Sequence, residues 1–170
     1  YRAFYDCDKL KSITIPNSVK TIGKEAFSDC WNLESITIPN SVTNIGDRAF
    51  SRCSSLATVT IGNSVTSIGT WAFEDCSSLT TTNYTGTIAG SCNTKFGSDD
   101  ANPMCYKHNF YINDQEIKDL VIPNSVDSIH DYAFYNGSAL SSVSLSNSVT
   151  SIGYAAFEDC SSLSSVTIPN

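Results

Sequence analysis

The sequence predicts a solenoid of stacked coils, mainly β in content, and two observations support this prediction. Apolar residues recur with a fixed period, so that the pattern of residues 27–46 returns in residues 50–69. Each copy opens with a leucine or isoleucine, at Leu10, Leu33, Leu56, Leu79, Ile117, Leu140 and Leu163. A fixed period of this length is typical of arrays in which each repeat buries its apolar face by stacking on the next.

The first element of each coil is predicted to be a short strand. In residues 34–38, Ile36 and Ile38 alternate with hydroxyl residues, which places both isoleucines on one face of an extended segment. The Pro-Asn-Ser run at residues 39–41 then favours a turn. Equivalent strands of successive coils are expected to pair in register as a parallel sheet.

The rest of the coil is predicted to be a shorter strand followed by a tight turn. Val42 and Ile45 mark the second extended piece, and Gly46 is expected to allow the next bend by adopting φ values barred to other residues. The spacing of Phe50 and Cys53 predicts a single turn of 3₁₀ or α helix. We therefore expect right-handed coils with a parallel sheet on one face, and with short strands and single helical turns on the other.

Stacking in register turns each buried position of the coil into a column of like residues. The phenylalanine column is predicted to be the spine of the core, and it consists of Phe4, Phe27, Phe50, Phe73, Phe134 and Phe157. Three residues depart from their columns, since Thr82 stands where Ile belongs, Gly137 where Cys belongs and His130 where Gly belongs. These departures are breaks in the predicted columns.

The repeated string Leu-x-x-Ile-x-Ile-Pro-x-Ser-Val-x-x-Ile-Gly-x-x-Ala-Phe-x-x-Cys resembles the BspA-type, or Treponema-type, leucine-rich repeats along nearly the whole chain. The long copy, with residues 84–96, Asn102-Pro103 and residues 108–113, is similar to an insert found within such arrays. The resemblance implies a leucine-rich repeat solenoid and a surface-exposed or secreted protein associated with adhesion to host matrix or to other cells. It supplies no functional residues.

The long copy is the main irregularity, because the interval from Leu79 to Ile117 exceeds every other interval between successive coil-opening residues. Ile88, Cys92 and Phe96 have helical spacing and predict a two-turn helix, and residues 109–122 predict a hairpin whose second strand continues into the next coil. We expect one domain, residues 1–170, of about seven 23-residue coils with a helix-plus-hairpin insert at roughly 84–116. The chain starts within a repeat and shows no capping repeat, so a longer array is expected.

The cysteines fall into two groups. Cys7, Cys30, Cys53, Cys76 and Cys160 form one column and are predicted to be unpaired thiols that pack as small apolar residues. Cys92 and Cys105 lie outside that column. Either they form a disulfide, or they join His108 in a weak, three-ligand zinc spacing, or each packs locally; no metal ligand is predicted.

Composition and residue pattern argue against several function classes. The formal net charge of −7, without a cluster of Lys or Arg, disfavours nucleic-acid and anionic-membrane partners. No segment reaches the ~18 apolar residues of a spanning helix. His108 and His130, the only histidines, do not accompany a nucleophile and an orienting group in any recognisable pattern. We therefore predict a non-enzymatic protein with no catalytic residue and no cofactor.

Aromatic residues in variable positions are the candidate partner-binding residues. The position two before each phenylalanine varies while its neighbours repeat, reading Arg2, Glu25, Arg48, Trp71, Tyr132 and Ala155. The outward face of the long sheet, by contrast, carries mostly Ser and Thr and lacks an anchor of the kind that dominates interfaces. The predicted partner-binding residues are Trp31, Trp71, Tyr132, Tyr154, Tyr106 and Tyr111. Simple packing of the turns and of the insert is the alternative interpretation.

Two functions fit these observations. The first is an extracellular or cell-surface interaction module that adheres to a host or neighbouring-cell protein or glycan. The second is a structural spacer, in which the repeats supply length and binding occurs elsewhere in a longer protein.

Overall fold

A typical coil supplies one longer strand and one very short strand. The structure is a computed structural model that describes residues 1–106 and 109–169. In chain order the strands are β1 (Thr21–Ile22), β2 (Ser35–Ile38), β3 (Asn44–Ile45), β4 (Thr58–Gly62), β5 (Ser67–Ile68), β6 (Thr81–Thr85), β7 (Lys95–Phe96), β8 (Asn109–Ile112), β9 (Gln115–Glu116), β10 (Asp119–Val121), β11 (Ser128–Ile129), β12 (Ser142–Ser144), β13 (Ser151–Ile152) and β14 (Ser165–Thr167). The helical segments are α1 (Ile88–Asn93) and the 3₁₀ helices Asp99–Ala101 and Pro103–Tyr106.

The strands stack into sheets on two faces of a solenoid, which confirms the predicted fold class. On the long-strand face, β2, β4, β6, β8 and β9 form one sheet and β10, β12 and β14 form another. On the short-strand face, β1, β3, β5 and β7 form one sheet, and β11 pairs with β13. All of these pairs are parallel except β8 with β9.

Both faces divide at the same point along the chain. In the described residues no strand pair joins β8 or β9 to β10, or β7 to β11. We call residues 1–116 the first stack, residues 117–169 the second stack, and the contact between them the junction. One buried apolar core nevertheless runs through both stacks, from Ile22 to Ala156.

The long copy contains one coil that is longer than the others, which we call the enlarged coil. Lys95 of β7 pairs with Ser67, and Asn109 of β8 pairs with Thr81, so both of its strands stack in register on the coil before it. Phe96 therefore occupies the inward isoleucine position of the short strand. Helix α1 ends at Asn93, so Phe96 lies outside the predicted two-turn helix, because the strand ladder captures residues 95–96.

The remaining extra residues form a hairpin on the last strand of the first stack. Asn113 and Asp114 connect β8 to β9 with φ values of 49° and 63°. Two successive left-handed residues are the signature of a type I′ hairpin turn. The hairpin strand ends at Glu116, and β10 starts in a different sheet at Asp119, so the two are not one continuous strand.

The segment around each phenylalanine folds as linked β-turns. In residues 23–30, the amides of Ala26 and Cys30 bond to carbonyls three positions earlier. Glu25 and Asp29, the third residues of these turns, have φ values of 55° and 63°, as type II turns require. The amides of Glu25, Phe27 and Asp29 bond to the next coil. The turns thus form a third ladder between coils, which we call the turn face.

The repeated glycine allows the backbones of successive coils to approach each other closely. The left-handed residues among those described are all non-glycine, so Gly46 does not act through φ as expected. A Cβ on Gly46 would lie 2.5 Å from the Lys24 backbone nitrogen of the preceding coil. His130 replaces glycine at the junction, where its amide bonds to the carbonyl of Cys92 in α1 instead of to a short strand.

The phenylalanine spine has two parts. Phe4, Phe27, Phe50 and Phe73 stack nearly parallel, with centroids 5.1–5.3 Å apart. The predicted six-ring column is interrupted after Phe73, because Ala101 occupies the equivalent position of the enlarged coil. Tyr84 makes an edge contact with Phe110 within the first stack, and Phe110 makes one with Phe134 across the junction, with centroids 5.5 and 5.8 Å apart.

All seven cysteines are unpaired thiols. Cys30, Cys53, Cys76 and Cys160 each donate a hydrogen bond to the phenylalanine carbonyl of the preceding coil, at 3.1–3.3 Å. Cys92 and Cys105 do not form a disulfide. The thiols of the column are therefore structural members of the ladder.

Candidate interaction surface on the turn face

The variable column lies on the turn face, and its six residues predicted from the sequence have left-handed backbone geometry. Its residues have φ values between 51° and 59° at Arg2, Glu25, Arg48, Trp71, Tyr132 and Ala155. This conformation costs a non-glycine residue roughly 1–2 kcal/mol. The structure adds Asp99 to the column, since the Phe73 amide bonds to the carbonyl of Asp100 as the Phe50 amide bonds to that of Ala72. The extra length of the enlarged coil conceals Asp99 from the repeating pattern.

In the first stack, arginines of this column bridge an aromatic ring and a carboxylate. The Arg2 guanidinium lies 4.7 Å from the centroid of the Tyr5 ring, and its Nε is 2.5 Å from Glu25 Oε2. The Arg48 guanidinium lies 4.3 Å from the Trp71 centroid, and its Nε is 3.9 Å from Glu74 Oε2. A polar groove of about 290 Å³ runs between these side chains. Both arginines are thus engaged within the protein.

Trp31 lies on the same surface but in a different position of the turn. Its indole N–H donates to Asp29 Oδ1 at 3.4 Å, and an Nη of Arg52 lies 3.7 Å from the same oxygen. Asp29 is only 8% exposed, whereas Trp31 is 54% exposed. The ring therefore offers an open apolar surface beside a carboxylate that is already paired.

In the second stack, the turn face carries a cluster of tyrosines. The Tyr132 ring makes edge contacts with Tyr135 and Tyr154, with centroids 6.0 and 5.6 Å apart. Tyr154 is 70% exposed. We call Tyr132, Tyr135 and Tyr154 the tyrosine patch.

Carboxylates surround the tyrosine patch. Burial raises the pKa of Tyr132, and the charges of Asp99, Asp131 and Glu158 raise it further. The pKa of Tyr135 is raised by burial and then by Asp99, Asp159 and Glu158. Asp131 also accepts a hydrogen bond from the Tyr154 amide at 2.7 Å. The local potential at the patch is therefore negative.

The two predicted residues from the insert lie elsewhere. The Tyr106 hydroxyl accepts from the Cys76 amide and donates to the Phe73 carbonyl, both at 3.0 Å. Its hydroxyl thus closes the end of the regular turn ladder. Tyr111 points outward from the long sheet, between the buried Phe110 and Ile112. The six predicted residues consequently divide among the turn face, the end of the regular turn ladder and the sheet face.

Metal-binding and membrane-spanning features can be assessed for the described part of the chain. Residues 1–106 and 109–169 contain no group of three His, Cys, Asp or Glu side chains that could hold a metal. His108, the third member of the weak zinc spacing, lies outside the described residues. Burial raises the pKa of the Cys92 thiol to about 12, which favours the protonated form over the thiolate that binds zinc. None of the described helices has the length and apolar content needed to cross a bilayer.

Two solved structures of bacterial proteins are similar to this chain. The leucine-rich repeat protein of T. pallidum has a TM-score of 0.55 and 28% sequence identity, over 88% of this chain and 63% of that protein. A leucine rich cell surface protein of Faecalibacterium prausnitzii A2-165 has a TM-score of 0.47 and 28% identity, over 98% of this chain and 56% of that protein. The chain thus spans less than two thirds of the length of either protein. No curated protein matches it.

The repeat itself identifies the family. The model of the BspA type leucine rich repeat region matches in six copies, over residues 1–98 and 106–170. The matched residues include the stacked turns and both sets of strands described above. The chain belongs to the BspA-type leucine-rich repeat family.

Proposed function

We propose that this protein is a non-catalytic cell-surface interaction module that adheres to a host or neighbouring-cell protein or glycan through its turn face. One observation carries the proposal: large aromatic rings are exposed on this face, two of them beside or within the variable column. Trp31, Trp71 and Tyr154 are 54%, 39% and 70% exposed. Rings of this size are the usual anchors of protein interfaces.

The long-sheet face is less suited to anchoring a partner. Its outward residues in β2 and β4 are Ser35, Thr37, Thr58 and Thr60. Hydroxyls of this kind form hydrogen bonds with water as readily as with a partner, and they bury little apolar area. The turn face is therefore the better candidate for recognition in this repeat protein.

The test is binding of the purified chain to arrays of matrix proteins and glycans. We expect specific capture that is weakened at least tenfold, about 1.4 kcal/mol, by Trp71→Ala or Tyr132→Ala. Thr60→Ala on the sheet face is the matched control and should leave capture unchanged. Capture that resists both turn-face substitutions would refute the assignment to this face.

A structural spacer is the competing function. It predicts that the chain captures nothing on these arrays, while a longer protein that contains it does bind. Circular dichroism of each variant should accompany the arrays, so that loss of binding is not confused with loss of folding.

A further inference from the structure

The first stack shows how this turn face accommodates a cation. Arg48 contacts the Trp71 ring on one side and approaches Glu74 on the other. Arg2 repeats the arrangement between Tyr5 and Glu25. An aromatic ring attracts a cation through the negative potential of its face, and a nearby carboxylate adds to that attraction. The arrangement of ring, cation and carboxylate is thus built twice into the first stack.

The tyrosine patch has the ring and the carboxylates of this arrangement without the cation. Tyr132 stands in the same column as Trp71, with the same left-handed φ. Asp99, Asp131 and Glu158 supply the negative charge. The next position in the column, one coil later, is Ala155. Among the described residues, no arginine or lysine lies over the Tyr132 or Tyr154 ring.

The sequence of the second stack explains the missing cation. After Lys118 the chain contains no lysine or arginine. Its charged residues from there on are Asp119, Asp127, Asp131, Glu158 and Asp159. Lys118 itself lies 3.1 Å from Glu116 of the hairpin. The described residues therefore place no cation on the patch, which leaves its rings open to a cation from a partner.

We propose that the tyrosine patch binds a lysine- or arginine-rich polypeptide segment of a partner protein, whose cationic side chain lies on the tyrosine rings and between their carboxylates. This inference rests on the proposed function and names its partner class. The exposed Tyr154 ring supplies the contact area, and Asp131 and Glu158 supply the charge. A polypeptide with several cations also matches the several carboxylates that surround the patch.

The first experiment measures binding of labelled peptides to the whole chain by fluorescence anisotropy. The probes are an arginine–glycine repeat peptide and matched peptides with glutamine or glutamate in place of arginine. We expect binding of the arginine peptide alone, weakened by salt because charges are involved. Tyr154→Ala should reduce the affinity about fivefold, as expected for loss of one cation–π contact. Tyr154→Phe keeps the ring face and should keep the affinity.

The second experiment supplies the patch with a cation from the chain itself, by substitution. Ala155→Arg places an arginine in the same column as Tyr132, one coil after that ring, whereas Arg48 lies one coil before Trp71. The position tolerates arginine, because Ala155 has a φ of 52° and Arg48 a φ of 51°. We expect Ala155→Arg to abolish peptide binding. Ala155→Gln, which is a long polar side chain without charge, should retain it.

Asp127→Asn is the control for general attraction to an acidic protein. It removes one exposed carboxylate of the second stack that is not among those surrounding the patch, and it should leave peptide affinity unchanged. Equal binding of the arginine peptide to wild type, Tyr154→Ala and Ala155→Arg would overturn the proposal, since only net charge would then be acting. A different result would separate this proposal from the proposed function. If the arginine peptide does not bind but Tyr132→Ala abolishes capture on the arrays, then the protein is an interaction module whose partner is not cationic.

Discussion

In the regular part of the first stack every coil meets a near copy of itself, whereas at the junction the enlarged coil meets one of ordinary length. Ring planes in the regular part are parallel within 10°. Across the junction Phe110 meets Phe134 at an interplanar angle of 72°, and within the first stack Phe110 meets Tyr84 at 71°. Strand ladders hold the regular coils together, while side chains such as Asn102 and Asn136 join the stacks.

This difference separates redundant contacts from unique ones. In a repeat array, stability is approximately a sum of terms within repeats and between neighbours. Loss of one contact in the regular stack therefore leaves equivalent contacts in place above and below it. The asparagine bonds at the junction are not repeated along the array, so the junction is expected to be the place where cooperative unfolding divides.

The largest effect is expected inside the regular stack. Phe50 is fully buried between Phe27 and Phe73, and Phe50→Ala should lower the free energy of unfolding by about 3–5 kcal/mol because it leaves a cavity between coils. Denaturant titration measures this change. Phe4→Ala is the matched control, since Phe4 is 39% exposed and, among the described rings, stacks on Phe27 alone. A cost for Phe50→Ala no greater than for Phe4→Ala would contradict the stacked spine.

The next effect tests whether the junction is a separate weak point. The Asn102 amide donates to the Tyr132 carbonyl at 2.7 Å, and its side-chain oxygen accepts from the Met104 amide at 3.0 Å. Because Asn102 is fully buried, Asn102→Ala leaves backbone groups unpaired and should cost about 2–3 kcal/mol.

We expect this substitution also to divide thermal unfolding into two transitions. Differential scanning calorimetry would show the division. Asn32→Ala removes an exposed bond to the Asp8 carbonyl of the preceding coil and should keep one transition with a cost below about 0.5 kcal/mol. A single transition in Asn102→Ala would mean that the apolar core and the remaining bonds suffice to couple the stacks, and it would contradict this prediction.

Particular residues show how far the sequence could predict this structure. The repeat register placed Ile36 and Ile38 in the core and predicted parallel strands, because a column of identical residues leaves one way to stack. It could not place Phe96 in β7, since helical spacing and an in-register strand compete over the same residues. Only the strand pairing with Ile68 decides between them.

The candidate surface was less predictable for a similar reason. Trp71 and Tyr132 could be identified from the sequence, because they occupy a variable position whose neighbours repeat. Asp99 was hidden because its column position depends on the altered offset within the enlarged coil. Tyr106 was also a candidate partner-binding residue. Its hydroxyl instead bonds to Phe73 and Cys76, which the fold brings close to it. Composition alone contains no sign of that proximity.

A smaller expected effect is a decrease in the free energy of unfolding at high pH, which should differ between the column cysteines of the two stacks. Burial raises the pKa of the Cys30 thiol from 9.0 to about 11, and burial also raises that of Cys53. Above about pH 9 the unfolded thiols lose protons while the folded ones keep them, so unfolding releases protons and stability falls as the pH rises. Each such thiol should contribute a loss of about 1 kcal/mol between about pH 8 and pH 10.

Denaturant titration at both pH values tests this loss. Cys53→Ala should reduce the pH-dependent decrease by about 1 kcal/mol. Cys160→Ala in the second stack should reduce it less, because Cys160 is only partly buried. Equal reductions in the two variants would contradict a difference in burial between the ladders.

The smallest effect on the free energy of unfolding has opposite signs at two tyrosine hydroxyls, that of Tyr84 in β6 and that of Tyr106 in the enlarged coil. The Tyr84 hydroxyl is buried without a hydrogen-bond partner among the described residues, whereas the Tyr106 hydroxyl has two bonds. A buried polar group without a partner costs free energy, so Tyr84→Phe should raise the free energy of unfolding by about 1 kcal/mol. Tyr106→Phe should lower it by a similar amount, because the Cys76 amide and the Phe73 carbonyl lose their partner.

Denaturant midpoints of Tyr84→Phe and Tyr106→Phe, compared with the unsubstituted protein, measure these two changes in stability. A destabilising Tyr84→Phe would contradict the prediction and would mean that the hydroxyl finds a partner in solution. The first partner to look for would be a water molecule between Tyr84 and Ser91. The Ser91 hydroxyl also has no hydrogen-bond partner among the described residues, and both side chains line one small cavity beside α1.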